Sequence, residues 1–118
     1  MKTHFELGKK GEELAVQFLL LKGYQIEERN WRHGRAEIDI IARKNEKLIF
    51  IEVKTRSTDY FGNPEASVDR RKRGLIASAA GAYIILQRHE WMIRYDVVAI
   101  VMKPEGRYSI SHFEDAFF

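Results

Sequence analysis

Four charged residues stand inside two strongly apolar runs of this chain. Positions 36 to 42 read Ala-Glu-Ile-Asp-Ile-Ile-Ala, and positions 48 to 56 read Leu-Ile-Phe-Ile-Glu-Val-Lys-Thr-Arg. An unpaired charge taken out of water is costly. Glu37, Asp39, Glu52 and Lys54, set at alternate positions among Ile, Val and Phe, therefore need a reason. Carboxylates and an ammonium held together can bind a divalent cation and position a water, the core of a metal-dependent phosphodiesterase site. Asp39 and Glu52 are the expected ligands of Mg²⁺ or Mn²⁺, with the backbone carbonyl of Val53 as a neutral addition. Lys54, two residues after Glu52, is placed to polarise an attacking water and to offset charge developing on a phosphate. The plainer alternative is a surface of ordinary cross-strand ion pairs. A Glu-x-Lys triplet alone carries little weight. An acid at hairpin distance between two apolar runs is what favours the chemical reading.

Strand geometry makes the arrangement testable. Side chains alternate faces with period two. Ile38, Ile40 and Ala42 share one face of the first run, and Glu37, Asp39 and Ile41 the other. In the second run Ile49, Ile51, Val53 and Thr55 share a face, opposite Phe50, Glu52, Lys54 and Arg56. The break between the runs, Arg43-Lys44-Asn45-Glu46-Lys47, is short and polar, as a hairpin turn should be. With Asn45 and Glu46 at its centre, Lys44 faces Lys47, Asp39 faces Glu52 and Glu37 faces Lys54, all three acids on one face. Directly opposed Cβ atoms lie about 4.5–5.5 Å apart. A slip of one residue would part the acids.

The rest of the chain must hold this hairpin. Residues 5 to 22 read as a helix, with Leu14, Phe18 and Leu21 at helical spacing and Gly23 as its stop. Residues 24 to 31 read as a first strand. The segment from Ser57 to Pro64 is a loop by composition, whose Tyr60 and Phe61 could stack on a base. A second helix is expected over 68–87, its inner face formed by Ile76, Ala79, Ala80, Tyr83 and Leu86. Lys72 lies one turn before Ile76 and points to the crevice. With Arg70, Arg71 and Arg73 it forms a basic run that, together with Arg56, suits phosphate contacts. Residues 92–102 and 107–113 complete the strands, and Asp96 reads as a structural hydrogen-bond acceptor. The helix before residue 92 is long enough for a parallel crossover. The expected fold is α/β, an αβββαβ core with a mixed central sheet flanked by two helices, in one domain over 1–118.

Bulk properties narrow the function classes. The 118 residues include no cysteine, which excludes a disulfide scaffold, thiolate catalysis and cysteine zinc sites and suits a reducing cytoplasm. The four histidines show no metal-ligand spacing. No segment approaches the ~18 apolar residues of a membrane span, and the first residues carry no apolar signal region. A net charge of +3 is compatible with a polyanionic partner.

Taken together, the motifs resemble the YraN-like family of small bacterial proteins, within the PD-(D/E)XK nuclease superfamily. The resemblance rests on Gly8-x-x-Gly11-Glu12-x-x-Ala15, Gly23-Tyr24, Asn30-Trp31-Arg32, Glu37-Ile38-Asp39, Phe50-Ile51-Glu52-Val53-Lys54-Thr55-Arg56, Phe61-Gly62-x-Pro64, Val68 four residues before Lys72, Tyr95-Asp96-Val97-Val98, and His112 with Ala116-Phe117. Ala36 departs from it, since the family usually has Gly there. The resemblance implies a restriction-endonuclease-like fold and metal-dependent nuclease chemistry. It also implies a helix carboxylate near the metal, for which the helical wheel favours Glu13 over Glu12. In element order the chain also resembles archaeal Holliday-junction resolvases, which implies structured or branched DNA as substrate, in repair or recombination.

The expectation is therefore a divalent-metal-dependent endonuclease acting on DNA, and a homodimer would suit two-strand cutting. A nucleic-acid-binding protein that keeps the fold without cleaving is the alternative. A scaffold subunit whose partner completes the site is another. An acidic cluster that repels phosphate argues against pure binding.

Overall fold

The computed structural model describes residues 4–57 and 69–117. The elements are α1 (His4–Leu21), β1 (Gln25–His33), β2 (Ala36–Lys44), β3 (Lys47–Ser57), α2 (Arg70–Gln87), β4 (Ile93–Met102) and β5 (Tyr108–Phe113), with a 3-10 turn at Pro104–Gly106. The five strands form one sheet in sequence order. β1, β2 and β3 are an antiparallel meander, β3 and β4 run parallel, and β5 returns antiparallel to β4. The αβββαβ order and mixed sheet match the expectation.

Local chemistry sets the boundaries. Gly23, at φ +88°, ends α1 in a conformation that L side chains rarely adopt, and the Tyr24 N–H returns to the Leu19 carbonyl. The β2–β3 turn centres on Asn45 and Glu46, both at positive φ, and pairs Lys44 with Lys47. Two positive φ values are what a two-residue I′ turn requires, and Asn tolerates them far better than Glu. Asp69 caps α2, accepting a 2.9 Å hydrogen bond from the Lys72 N–H. The helix starts at Arg70, so Val68 lies outside the described residues, as do Tyr60 and Phe61.

The sheet separates two cores. Ile76, Ala79, Ala80 and Tyr83 of α2 pack on one face with Ile38, Ile41, Phe50 and Val97. Ala15, Val16 and Leu19 of α1 pack on the other with Ile40, Ala42, Ile49, Ile51, Val98 and Ile100. Two expected core residues face water instead, Leu21 at 90% and Leu86 at 68% exposure. Each sits in the last turn of its helix.

β2 departs from simple alternation. Ile38 and Ile41 both enter the α2-side core, while Ile40 and Ala42 enter the α1-side core. Ile38 was expected beside Ile40 and Ala42 and lies on the opposite face. Across from the change, between the Arg29–Ile40 and Trp31–Ile38 pairs, Asn30 of β1 takes φ +52°. Asp39 sits where the phase changes. Ala36, where the family usually has Gly, is buried without a positive φ.

Candidate functional site

β2 and β3 pair from the turn as far as Ile40 and Ile51 and then part. Beyond that point the Val53 N–H has no β2 carbonyl opposite it, and the Asp39 carboxylate takes it at 2.8 Å. Asp39 thus replaces the ladder, and its side chain is drawn to β3 beside Glu52. The two carboxylates lie close enough for each charge to act on the other. Burial first, and then the charge of Glu52, raise the Asp39 carboxyl well above the usual carboxylate range, against the opposing Val53 N–H.

Glu52 is buried and has two lysines around it. Lys72 of α2 donates to its Oε1 at 2.7 Å, and the Lys54 ammonium is 3.9 Å from the same oxygen. Burial lowers the Lys54 pKa, the charge of Lys72 adds to that, and Glu52 opposes it. For Lys72, burial also lowers the pKa, but the hydrogen bond and charge of Glu52 outweigh it and the net shift is upward. Lys72 therefore points into the crevice, as its place on the inner stripe of α2 requires.

These groups lie in a cleft of about 790 Å³ that wraps the end of the sheet from α1 to α2. Arg56 lies in this cleft too. Arg73 is elsewhere, its guanidinium 5.6 Å from the Phe117 ring centre, and Arg70 is exposed at the first turn of α2 outside the cleft.

One sequence expectation needs correction, and both helix carboxylates, Glu12 and Glu13, line the cleft. Glu37 was expected opposite Lys54, but its ion pair is with Arg32 of β1 at 2.8 Å. The β2–β3 ladder has already ended, so Glu37 turns to its other neighbour. Glu13 was favoured over Glu12 as the helix carboxylate. Glu13 is more exposed, with 55% of its side chain accessible against 16% for Glu12, and it pairs with Arg29 at 3.0 Å. Glu12 accepts a 2.7 Å hydrogen bond from Asn30, and its charge is felt by Asp39. Burial raises its pKa, against Asn30 and Arg29. Asn30, at positive φ in β1, thus anchors Glu12, a link that nothing in the sequence spacing signals.

Gly11 sets how closely α1 can lie on β3. A Cβ there would stand 2.9 Å from both Cβ and Cγ2 of Thr55 and closer still to its hydroxyl. The glycine lets the following residue, Glu12, reach the strand ends.

The donor set fits a hard divalent cation. Among the described residues no three carboxylate or imidazole side chains converge as a closed metal cage. Mg²⁺, however, usually takes one or two carboxylates and keeps several waters. Asp39 and Glu52 are two crowded carboxylates beside the Val53 backbone, and a cation would relieve the repulsion that raises Asp39.

The fold and site define a class, a mixed α/β sandwich with a carboxylate–lysine cluster where two central strands part. Residues 11–100 match the Uncharacterised protein family UPF0102, and the chain belongs to that family of YraN-like bacterial proteins. It is 47% identical to the UPF0102 protein of Flavobacterium psychrophilum over 118 residues, spanning all of this chain and 98% of that one. It is 46% identical to the UPF0102 protein of Thermodesulfovibrio yellowstonii over 116 residues, 98% of this chain and 99% of that one. Among solved structures, Pyrococcus furiosus SfsA in complex with Ca²⁺ is similar at TM-score 0.39 and 14% identity, over 92% of this chain and 62% of that chain. No helix among the described residues is long and apolar enough to cross a membrane.

Proposed function

We propose that the chain is a divalent-metal-dependent nuclease that hydrolyses phosphodiester bonds in DNA, with structured or branched DNA as the favoured substrate. The observation that carries this reading is the Asp39–Glu52 pair, two carboxylates held against each other beside two lysines. A folded protein gains nothing from that repulsion unless a cation or a reaction uses it.

Mg²⁺ or Mn²⁺ would be held by Asp39 and Glu52, with the Val53 carbonyl as a neutral donor. When bound, it supplies Lewis-acid stabilisation of phosphate charge and a more acidic water. The chain's own residues do the rest. Val53 N–H fixes the Asp39 carboxylate in place. Lys54, half-desolvated with a lowered pKa, holds the attacking water and faces the charge that develops on the phosphate. Lys72 now neutralises Glu52 and would turn to phosphate once Glu52 is engaged. Arg56 adds a further phosphate contact. Glu12 takes the outer role expected of a helix carboxylate.

A second reading is a nucleic-acid-binding protein that keeps the fold without cleaving. The Lys72–Glu52 pair favours it, because it already neutralises one carboxylate without a metal. Calorimetric Mn²⁺ titration separates the two. The nuclease reading expects Mn²⁺ to bind the wild type and to bind at least about tenfold more weakly to Asp39→Asn, in keeping with the loss of one of two carboxylate ligands. Equal titrations would remove the metal site and leave the binding reading.

A further inference from the structure

Arg56 aside, the cations around the cleft fall into two groups. Arg29 is paired with Glu12 and Glu13, Arg32 with Glu37, and Lys54 and Lys72 with Glu52. Lys9, Arg35 and Arg71 have no carboxylate partner among the described residues. The three are not scattered. Lys9 lines the main cleft from α1, on one face of the sheet. Arg35 and Arg71 line a second depression of about 370 Å³ on the α2 side. Glu37 and Lys72 border both cavities, so the two are continuous around the strand ends. The uncommitted positive charge thus brackets the Asp39–Glu52 pair, one part on each face of the sheet.

Beside Lys9 stands the second feature. Phe5 lines the same cleft, and its ring is 72% exposed although the Lys9 ammonium lies 5.3 Å from its centre. An aromatic face at the lip of a positively charged groove is a platform for an unstacked base, and a neighbouring ammonium meets the adjoining phosphate. A base inside an intact duplex has no free face to offer.

We infer that a single DNA strand with unpaired bases crosses the end of the sheet, one base stacked on Phe5 with its phosphate at Lys9, and a phosphate beyond the carboxylates held by Arg35 and Arg71. This rests on the nuclease reading for the purpose of the path but not for its existence. It makes the substrate a strand that is single or splayed at the cleft, as at a flap, gap or branch point. Glu37, paired with Arg32 across β1 and β2, borders both cavities between them.

The test is binding without catalysis. Full-length protein in EDTA is titrated into a fluorescein-labelled twenty-nucleotide oligothymidine and into a blunt twenty-base-pair duplex, read by anisotropy. The wild type should bind the oligothymidine more tightly. Phe5→Leu keeps an apolar residue at an exposed position and should weaken oligothymidine binding about tenfold, with the duplex almost unaffected. Arg35→Ala with Arg71→Ala should weaken both ligands and reduce the slope of log K against log salt on the oligothymidine by roughly 0.7 for each phosphate no longer neutralised. A wild type that prefers the duplex, or Phe5→Leu binding as the wild type does, overturns the path. The two readings fail separately. A Phe5-dependent preference in a protein that never cleaves keeps the path and removes the nuclease. Metal-dependent cleavage without any Phe5 effect does the reverse.

Discussion

Glu52 and Asp96 are the buried acidic residues of the described chain, and they lie on neighbouring strands. Their surroundings differ in kind. Asp96 faces α1 and is fully provided for. Arg94 grips both carboxylate oxygens at 2.8 Å, His112 Nε2 lies 2.7 Å from Oδ2, and the Asp115 N–H donates at 3.0 Å. Arg94 and His112 are held in turn, Arg94 by Tyr24 at 2.7 Å and His112 by Lys22 at 2.9 Å. Burial pushes Asp96 up, but the hydrogen bonds of His112, Arg94 and Asp115 outweigh it, and its pKa is lowered. Glu52 faces α2 with Asp39 against it, and there the Asp39 pKa is raised. Burial is common to both places. What separates Asp96 from Asp39 is that the surroundings favour the charge of the first and oppose that of the second.

The largest stability effect should fall on the structural side of this contrast. Asp96→Ala leaves Arg94 without its carboxylate and should cost about 3–5 kcal/mol in urea unfolding. Asp39→Asn keeps an acceptor for the Val53 N–H and removes a repulsion, so its stability should match or exceed the wild type. If both variants lose several kcal/mol, the two acids are not different in kind. Gly11→Ala should cost about 1–3 kcal/mol, because α1 must lift from Thr55, and a companion Thr55→Ala change should recover part of the loss.

The pH dependence sharpens the same comparison. Asp96 has a depressed pKa in the folded state, so its contribution is present above the unfolded carboxyl value and is lost as pH falls through the folded one. The stability gap between wild type and Asp96→Ala should therefore be constant near neutrality and narrow below about pH 4. A gap that widens on acidification would contradict the assignment. The smallest effect is expected far from either acid. Glu46 is a non-glycine residue at φ +66° in the β2–β3 turn, and Glu46→Gly should stabilise by up to about 1 kcal/mol.

The hairpin was legible because its signals are local. Asn45 marks the turn and the turn fixes the register as far as Ile40 and Ile51; past that end the Val53 N–H, not a cross-strand pair, holds Asp39 beside Glu52. The helices and the crossover were legible from apolar spacing and from Gly23. What escaped depends on one backbone angle. Asn30 at positive φ has no reliable signature in sequence, yet it stands across from the point where Ile38 turns to the opposite core and supplies the amide that holds Glu12. The choice between Glu12 and Glu13 turned on that amide and on the approach allowed by Gly11, neither of which a helical wheel contains. The Glu37–Arg32 pair was missed because the ladder ends at Ile40 and Ile51, three pairs short of the expected Glu37–Lys54 pair.

The central claim is that the Asp39–Glu52 cluster is a metal-dependent hydrolytic site in which Lys54 acts on the reaction. Single-turnover cleavage of flapped, nicked and four-way-junction DNA with Mn²⁺, by wild type and by Lys54→Ala, tests it most directly. The wild type should cleave at least one of these substrates. Lys54→Ala should lose about 10²–10³ in rate, with Mn²⁺ affinity retained and DNA affinity little changed. A wild type that binds these DNAs yet cleaves none of them, with Lys54→Ala indistinguishable from it, would contradict the claim.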